Sequence, residues 1–416
     1  MTFYDLVERN PYAALSHKFR ALYLLGPAFV AGVAYIDPGN VATNLTAGSK
    51  YGYLLLWVIV AANLSAWLVQ YLSAKFGIAT GKSLPEVMGE RLTNKKVRLA
   101  YWAQAQLVAI ATDVAEIIGG AIALNILFNL PMLVGGLVTG FFSIAHLSLR
   151  ERGNEKAFEF VIILLIAATA IGFTAGLFAA PADTHALISG FAPRFAGKES
   201  LLLAVSIFGA TIMPHAIYAH SALCRDRIAA RHNQTTKQGM LRATKWDVSM
   251  AMAIAGLVNV GILVIGAVNL FGHHTGDSIF GAHAAITSSL GVGIGTLFAI
   301  GLLASGIASS SVGTYASGVI SQGLLKIKLS FFKQRMFALV PALVIITLTN
   351  SPTMALVFSQ VILSLGIPFA LIPLIYLTSN EKVMGELKNK FKTKIIGYIV
   401  VGALTALNLT LLALLI

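Results

Sequence analysis

Residues 26–40 read GPAFVAGVAYIDPGN and residues 207–218 read IFGATIMPHAIY. Each stretch lies within an apolar run that otherwise has the length of a membrane-spanning helix. Pro38 and Pro214 each remove a backbone donor and crowd the preceding turn, so both helices are predicted to break there. In lipid, the carbonyl groups freed by a break are tolerated only beside protein or a polar cavity. We therefore expect a polar site at the two breaks.

The rest of the chain is apolar enough to supply many more such helices. Of its 416 residues, 57% are hydrophobic and only 11% are charged. This composition predicts an all-α polytopic membrane protein, with residues 1–416 forming one transmembrane domain, because the polar stretches are too short to fold alone. Hydropathy predicts eleven spans of roughly 20 residues each. They begin near residues 22, 52, 99, 131, 157, 201, 246, 290, 334, 353 and 394.

The basic residues predict the orientation. With these spans, Lys50, Arg194 and Lys198 lie on one face, and all other Lys and Arg residues lie on the opposite face. The positive-inside rule then predicts a multi-pass protein of the cell (inner or plasma) membrane, with its N-terminus cytoplasmic and its C-terminus extracytoplasmic. The net charge of +13 reflects the same loops, so we expect no nucleic-acid partner. The single Cys224 allows no intrachain disulfide.

The two breaks lie in the first and sixth predicted spans. An odd offset of five spans means that the two halves are inverted relative to each other, at about residues 20–180 and 201–378, with an extra helix at about 394–416. Broken helices in matching positions of two halves indicate a substrate site. The alternative is that both prolines only kink their helices. Asp37 argues against it, because an ionised Asp at the centre of a span costs about 2.5–3.5 kcal/mol.

The polar groups at the breaks suit a metal ion. Asp37 offers a carboxylate, Asn40 an amide oxygen, and Pro38 frees backbone carbonyls, all of which are hard ligands. Met213, directly before the second proline, offers a soft thioether, which is a poor ligand for Mg²⁺ or Ca²⁺. The combination favours a divalent transition metal. Simple packing of Met213 remains the alternative.

Other ionisable residues lie deep within the predicted spans. Asp113 and Glu116 are three residues apart and share one helix face, where buried carboxylates commonly form proton relays or structural ion pairs. His215 and His220 flank the second break, and histidine titrates in the range of a physiological proton gradient. For His220 a structural hydrogen bond is an equal alternative. The His-Glu-x-x-His pattern of metalloproteases is absent from the sequence, so we expect no enzyme, catalytic residue or cofactor.

Five strings together resemble the Nramp family of divalent metal transporters, and are most similar to bacterial proton-coupled manganese transporters. The resemblance runs in order from about residue 20 to the C-terminus. The strings are GPAF at 26–29, DPGN at 37–40, ATDVAE at 111–116, GATIMPH at 209–215 and ATKWD at 243–247.

The resemblance implies a LeuT-type fold of 5+5 inverted repeats with helices 1 and 6 broken. It also implies secondary active import of Mn²⁺ or Fe²⁺, and of Cd²⁺ or Co²⁺, with protons and by alternating access. We expect the transporter to act as a monomer in the bilayer. The implied metal ligands are the side chains of Asp37, Asn40 and Met213, the backbone carbonyls of Ala34 and Ala210, and, in some states, Gln360. The implied proton pathway comprises Asp113, Glu116, His215 and Arg335, with His220 as a weaker candidate.

The chain departs from the family pattern at two positions. Gln106 stands where similar bacterial members carry Glu, and Gln334, directly before Arg335, stands where they commonly carry Arg. Losing one acid and one base together is compatible with a paired change. Arg335 is still expected to neutralise Asp113, whereas Glu116 lacks its usual partner, so proton coupling is a weaker expectation than metal binding.

Three rival functions remain open from the sequence. An amino-acid symporter of the same architecture is one, although Asp37 would repel a substrate carboxylate. A magnesium transporter of the same family is another, although a small residue would then be expected in place of Met213. The third is a membrane scaffold without transport.

Overall fold

The computed structural model describes residues 26–151, 155–179, 183–230, 236–272, 279–328 and 330–415. Within these ranges the chain is almost entirely α-helical and contains no β-strand, which confirms the expected all-α class. In chain order the α-helices are α1 (Pro27–Gly32), α2 (Pro38–Tyr51), α3 (Leu56–Thr80), α4 (Leu84–Arg91), α5 (Lys95–Phe128), α6 (Met132–Glu151), α7 (Glu155–Ala179), α8 (Thr184–Ser189), α9 (Lys198–Thr211), α10 (Pro214–Ala230), α11 (Lys237–Asn269), α12 (Ile279–Leu290), α13 (Val292–Leu325), α14 (Phe331–Leu348), α15 (Pro352–Thr378), α16 (Glu381–Met384) and α17 (Phe391–Leu415). Two 3-10 turns occupy Val33–Ile36 and Gly385–Leu387.

Both predicted breaks are present. After α1, the Val33–Ile36 turn tightens the helix, and Asp37 then leaves it in an extended conformation (φ −71°, ψ 167°). Pro38 begins α2 at the first helical position, where a missing N–H costs nothing. At the second break α9 ends at Thr211, Ile212 leaves the helical region (φ −107°, ψ 76°), and Pro214 begins α10.

Eight helices within the described ranges are long and apolar enough to cross a membrane. They comprise α3, α5, α6, α9 with α10, α11, α13, α15 and α17. The other three predicted spans fall on the broken first helix, on α7, whose apolar part is Phe160–Ala175, and on the short α14. Each predicted span therefore coincides with helix, and the total of eleven crossings stays a prediction.

One predicted boundary differs clearly from the structure. The seventh span is expected to begin near residue 246, but α11 begins at Lys237, capped by the hydroxyl of Thr236. Its 33 residues extend over about 50 Å, which exceeds the hydrocarbon thickness of about 30 Å. Hydropathy detects only the part at lipid depth, so the polar first turns are missed.

Small residues let the central helices approach closely. A methyl group on Gly48 of α2 would collide with the backbone carbonyl of Leu263 in α11. A methyl group on Gly306 of α13 would lie 3.0 Å from the carbonyl oxygen of Glu116 in α5. Such backbone contacts are typical of helix packing in membranes. They hold α2 against α11 and α5 against α13, around the two breaks.

Candidate metal site

Asp37 caps the helix that begins after the first break. Its Oδ1 accepts hydrogen bonds from the backbone N–H of Asn40 and from the side-chain amide of Asn40, both at 2.8 Å. Its Oδ2 accepts none from any described residue, although the side chain is fully buried. A buried carboxylate oxygen without a donor is costly, and a cation would satisfy it. Oδ2 is therefore the free acceptor of this group, at which a cation could bind.

Asn40 joins the two breaks. Its Nδ2 also donates to the backbone carbonyl of Ala210 at 2.8 Å, and the hydroxyl of Thr211 lies 3.4 Å from its Oδ1. Ala210 and Thr211 form the last turn of α9, just before the second break. Met213 lies in that break and is fully buried. The structure thus brings Asp37, Asn40 and Ala210 into one hydrogen-bonded group, and Met213 follows shortly after it along the chain.

Gln360 reaches the same place from α15. A Cβ on Gly39 would collide with Nε2 and Cδ of Gln360 and would lie 2.9 Å from Oδ2 of Asp37. The side-chain amide of Gln360 and the carboxylate of Asp37 therefore border the same space next to Gly39. The Oε1 of Gln360 also finds no hydrogen-bond donor in the described part of the chain. Each of these two buried side chains thus has one oxygen without a donor among the described residues, which suits a hard or borderline cation.

Carbonyl groups freed by the first break are bonded by neighbouring helices. Asn259 of α11 donates to the carbonyl of Tyr35 at 2.8 Å, and Ser305 of α13 donates to that of Ile36 at 2.5 Å. Asn259 also accepts a hydrogen bond from Asn44 at 2.9 Å. Tyr35 precedes the break and Asn44 follows it. Asn259 consequently holds both halves of the first broken helix.

The sequence analysis does not single out Asn259, Ser305 or Thr211. For Asn259 a signal existed, because a lone amide within an apolar span usually bonds another buried group. Ser305 and Thr211 carried no comparable signal, since Ser and Thr often bond their own helix backbone. Thr211 does so as well, donating to the carbonyl of Ile207 at 2.7 Å.

The groups available as metal ligands at the two breaks are one carboxylate, amide oxygens, backbone carbonyls and one thioether. No cluster of three His, Cys, Asp or Glu side chains that could hold a metal occurs among the described residues. Ala34, whose backbone carbonyl is an expected metal ligand, lies in the 3-10 turn just before the first break. Coordination of the cargo by Ala34, Met213 and Gln360 stays a prediction.

A second buried polar group lies between α5 and α14. Nη1 of Arg335 donates to Oδ1 of Asp113 at 3.2 Å, and both side chains are buried. The expected neutralisation of Asp113 by Arg335 is thus matched by an ion pair. Neither oxygen of Glu116 finds a donor, and Nε and Nη2 of Arg335 find no acceptor, within the residues described. Among the described residues Glu116 thus forms no ion pair, and its part in a proton pathway stays a prediction.

The two histidines after the second break have different surroundings. Nδ1 of His215 lies 3.2 Å from the hydroxyl of Thr112, the residue before Asp113. His215 thus links α10 to the acidic face of α5. Nδ1 of His220 instead contacts Oε1 of Gln70, whose amide donates to the hydroxyl of Tyr35. The structure places His220 beside the first broken helix and in a different contact group from His215.

The two amides that depart from the family pattern face consecutive residues of α13. Gln106 donates to the carbonyl of Ser317 at 2.9 Å and to the hydroxyl of Ser321 at 2.7 Å, and accepts from the hydroxyl of Ser317 at 2.6 Å. The amide of Gln334 lies against Gly318, whose Cβ would be 2.9 Å from its Oε1. Neutral hydrogen bonds therefore hold Gln106 on α13, one residue away from the contact of Gln334.

Asp247 holds the first half-helix at its start. Its carboxylate accepts from the backbone N–H of Gly26 at 3.2 Å and of Ala28 at 3.0 Å. The acid is buried, and a negative charge at a helix N-terminus satisfies free N–H groups and complements the helix dipole. Asp247 belongs to the ATKWD string, but the sequence assigns it no role.

Two helices broken where they meet, with unsatisfied acceptors between them, define a membrane transporter rather than an enzyme. A family model described as "Natural resistance-associated macrophage protein-like" (Nramp) matches residues 28–414. The chain belongs to this Nramp family.

Relatives and solved structures agree with this assignment. A "Divalent metal cation transporter MntH" of Mycobacterium tuberculosis (strain H37Rv) is 53% identical over 390 residues, covering 94% of this chain and 91% of the relative. The protein of the same name from Bacillus subtilis (strain 168) is 44% identical over 422 residues, covering 98% of each.

A crystal structure of the Eremococcus coleocola manganese transporter aligns with a TM-score of 0.84 at 30% identity, covering 96% of this chain and 88% of that one. Mhp1, a nucleobase-cation-symport-1 family transporter, aligns with a TM-score of 0.55 at 14% identity, covering 94% and 91%, which indicates a shared fold only. The expected fold class and family are confirmed.

Proposed function

We propose that the protein is a secondary active importer of divalent transition-metal ions, chiefly Mn²⁺ or Fe²⁺ and also Cd²⁺ and Co²⁺, coupled to protons and working by alternating access. The observation that carries the proposal is the buried carboxylate of Asp37, whose Oδ1 is bonded to Asn40 and whose Oδ2 has no donor among the described residues. Asn40 also donates to the Ala210 carbonyl, and the amide of Gln360 lies against Gly39. A divalent cation is the cargo that satisfies such a group. The name shared by the relatives, divalent metal cation transporter, supports the same class.

Selection among divalent ions is assigned to Met213. A thioether is a poor ligand for Mg²⁺ and Ca²⁺ and an acceptable one for Mn²⁺, Fe²⁺ or Cd²⁺. Met213 is fully buried in the second break, so water cannot easily take its place beside the ion. An amino-acid cargo is disfavoured, because the charge on Asp37 would repel the substrate carboxylate.

Alternating access follows from the burial of the site. Asp37, Asn40, Met213 and Gln360 are all fully buried, so an ion enters or leaves only if helices move. The breaks supply pivots, because half-helices joined through extended residues can tilt separately. At its far end, Lys50 of α2 forms a 2.5 Å ion pair with Glu199 at the start of α9. We assign this pair to the extracytoplasmic side and expect the two repeats to move against each other.

Proton coupling is assigned to Asp113, Glu116, Arg335 and His215. One guanidinium balances one carboxylate, so a second charge on Glu116 at this depth would be uncompensated. Binding a proton removes that charge, which makes Glu116 a suitable carrier. His215 supports the connection to the metal site, since it lies near the second break and contacts Thr112.

A metal panel tests the proposed cargo. Purified protein in proteoliposomes should take up Mn²⁺ with saturation, Cd²⁺ and Fe²⁺ should compete, and excess Mg²⁺ or Ca²⁺ should not. Isothermal titration with the same ions gives their affinities directly. Uptake blocked equally by Ca²⁺ would overturn selection by a soft ligand, and Mg²⁺ transport would favour the rival function.

A matched pair of methionine variants tests the role of Met213. Met213→Ala should reduce the preference for Mn²⁺ over Ca²⁺ and Mg²⁺ more than it reduces Mn²⁺ affinity itself. Met384→Ala is the control, because Met384 is also buried but lies in the short helix α16, which is part of neither broken helix. Selectivity unchanged in Met213→Ala, or changed equally in both variants, would make Met213 a packing residue.

A pH gradient tests the coupling. Mn²⁺ uptake should be faster when the outer solution is more acidic than the vesicle interior, and Glu116→Gln should remove that stimulation. If Mn²⁺ uptake is insensitive to the gradient in the unmodified protein, transport is not proton-coupled.

A further inference from the structure

Two prolines interrupt α15 beyond Gln360. Pro368 and Pro373 lie inside this helix. Because proline has no N–H, Pro368 cannot donate to the carbonyl of Ser364, and Pro373 cannot donate to the carbonyl of Phe369. Within a membrane each of these carbonyls needs another donor.

Both carbonyls receive a side-chain donor from a different helix. Nδ2 of Asn408, in α17, donates to the carbonyl of Ser364 at 2.9 Å. The hydroxyl of Tyr101, in α5, donates to the carbonyl of Phe369 at 2.7 Å. Each N–H that a proline lacks is thus replaced from outside α15.

The contact of Asn408 with Ser364 is reciprocal. The hydroxyl of Ser364 donates to Oδ1 of Asn408 at 2.7 Å. Both ends of one amide are therefore bound by one residue. Asn408 is only 4% exposed although α17 is otherwise apolar and partly exposed, and a buried amide in such a helix is costly unless it is bonded. The pair fixes the position of α17 on α15 at the point where Pro368 weakens the helix.

The contact of Tyr101 reaches the second broken helix. The hydroxyls of Tyr101 and Tyr218 lie 3.0 Å apart. Because the only hydroxyl hydrogen of Tyr101 is used on Phe369, Tyr218 is the donor in this bond. Tyr218 lies one turn after Pro214 in α10, so the hydrogen-bond chain runs from the second broken helix to the second proline of α15.

The position of Ser364 is linked to that of Gln360 in the metal site. Gln360 lies one turn before Ser364 on the same face of α15. A Cβ on Gly209 of α9 would collide with the carbonyl oxygen of Gln360 and would lie 3.0 Å from Cβ of Ser364. Gln360 and Ser364 of α15 therefore both pack against Gly209 of α9. A movement of Ser364 is expected to move Gln360 relative to the second break.

We propose that Asn408 is a positioning residue. It supplies the hydrogen bond that Pro368 cannot donate, and so sets where Gln360 lies in the metal site. Tyr101 likewise supplies the hydrogen bond that Pro373 cannot donate. The final helix, outside the predicted repeats, thereby takes part in substrate binding. This inference rests on the proposed function, since it uses Gln360 as part of the site for Mn²⁺.

A double-mutant cycle tests the proposal. The Michaelis constant for Mn²⁺ uptake is measured in proteoliposomes for Asn408→Leu, Pro368→Ala and the double variant. Asn408→Leu should raise it about threefold, and at most about fifteenfold, the range for losing one hydrogen bond between membrane helices. Pro368→Ala restores the intrahelical donor, so Asn408→Leu should then change the constant less than about twofold. Thr405→Val is the control, because its hydroxyl has no partner among the described residues.

Equal effects of Asn408→Leu in both backgrounds, or none in either, would overturn the proposal. If Asn408→Leu does not fold, the conservative Tyr101→Phe with Pro373→Ala provides a second cycle with the same expectation. Melting temperatures of the metal-free variants give a readout independent of cargo, and should show the same non-additivity. Absence of Mn²⁺ uptake in the unmodified protein would refute the proposed function, whereas additive melting temperatures would refute the coupling of Asn408 to Pro368.

Discussion

Gly39→Ala tests whether Gln360 belongs to the site. Two opposed effects decide the outcome. Alanine in a helix is favoured over glycine by about 0.5–1 kcal/mol. The added methyl group, however, would collide with Gln360 and lie 2.9 Å from Oδ2 of Asp37, and overpacking of a well-packed interior costs about 1–3 kcal/mol. At the middle of both ranges the balance is a loss of about 1.2 kcal/mol, or about eightfold in the dissociation constant for Mn²⁺ if binding needs the present positions of Asp37 and Gln360.

Isothermal titration of the purified protein measures this effect. The dissociation constant for Mn²⁺ should rise in Gly39→Ala by the stated factor, and the melting temperature should fall. Truncating the obstructing side chain in Gly39→Ala/Gln360→Ala should recover part of the melting temperature. Gly402→Ala in α17 is the matched control, because no atom lies within 4 Å of its added Cβ. This control should leave affinity unchanged and melt no lower than the unmodified protein.

The reasoning would be refuted if Gly39→Ala behaved like Gly402→Ala. Intact Mn²⁺ affinity with an unchanged or raised melting temperature would mean that the side chain of Gln360 does not occupy the space beside Gly39. The proposed role of Gln360 and the positioning role of Asn408 would then lose their common basis.

Three further outcomes are expected. Asp37→Asn keeps an acceptor for the N–H of Asn40 but removes the charge. The Mn²⁺ titration signal and Mn²⁺ uptake should therefore vanish, while the melting temperature stays the same or rises. Retained uptake would exclude Asp37 as a ligand. Asp247→Ala leaves the buried N–H groups at the start of α1 without their acceptor. It should lower the free energy of unfolding by about 1–3 kcal/mol, measured as a lower melting temperature. An unchanged melting temperature would mean that other groups accept these hydrogen bonds. Gln106→Glu places a carboxylate oxygen against the carbonyl of Ser317 and should lower thermal stability at neutral pH by a similar amount, whereas no change would show that the carboxylate turns away.

The breaks could be predicted from local chemistry alone. Asp37 and Pro38 form a helix cap and a helix start in any environment, so their effect on the backbone does not depend on distant contacts. The donors that satisfy the freed carbonyls could not be predicted in the same way. The bond from Asn259 to Tyr35 depends on which spans touch and in what register, and hydropathy contains no information on either.

The candidate site was predictable to different degrees. Asp37 stands out because a charge at lipid depth is expensive, and Met213 because it adjoins a break. Gln360 and the carbonyl of Ala210 have no such signature, since a single Gln or a backbone oxygen occurs in many helices. They were reached only through the family resemblance. The contact of Asn408 with a proline-freed carbonyl required the three-dimensional structure.

The hydrogen bond from Asn40 to the carbonyl of Ala210 affects how tightly an ion can bind between the two broken helices. This bond joins the two broken helices through groups that the proposed function assigns to the cargo. An incoming ion must displace this bond, at a cost of about 0.5–1.5 kcal/mol, which moderates affinity and so eases release. If the protein carries metal ions as proposed, each ion that binds breaks this bond, and each ion that leaves allows it to form again.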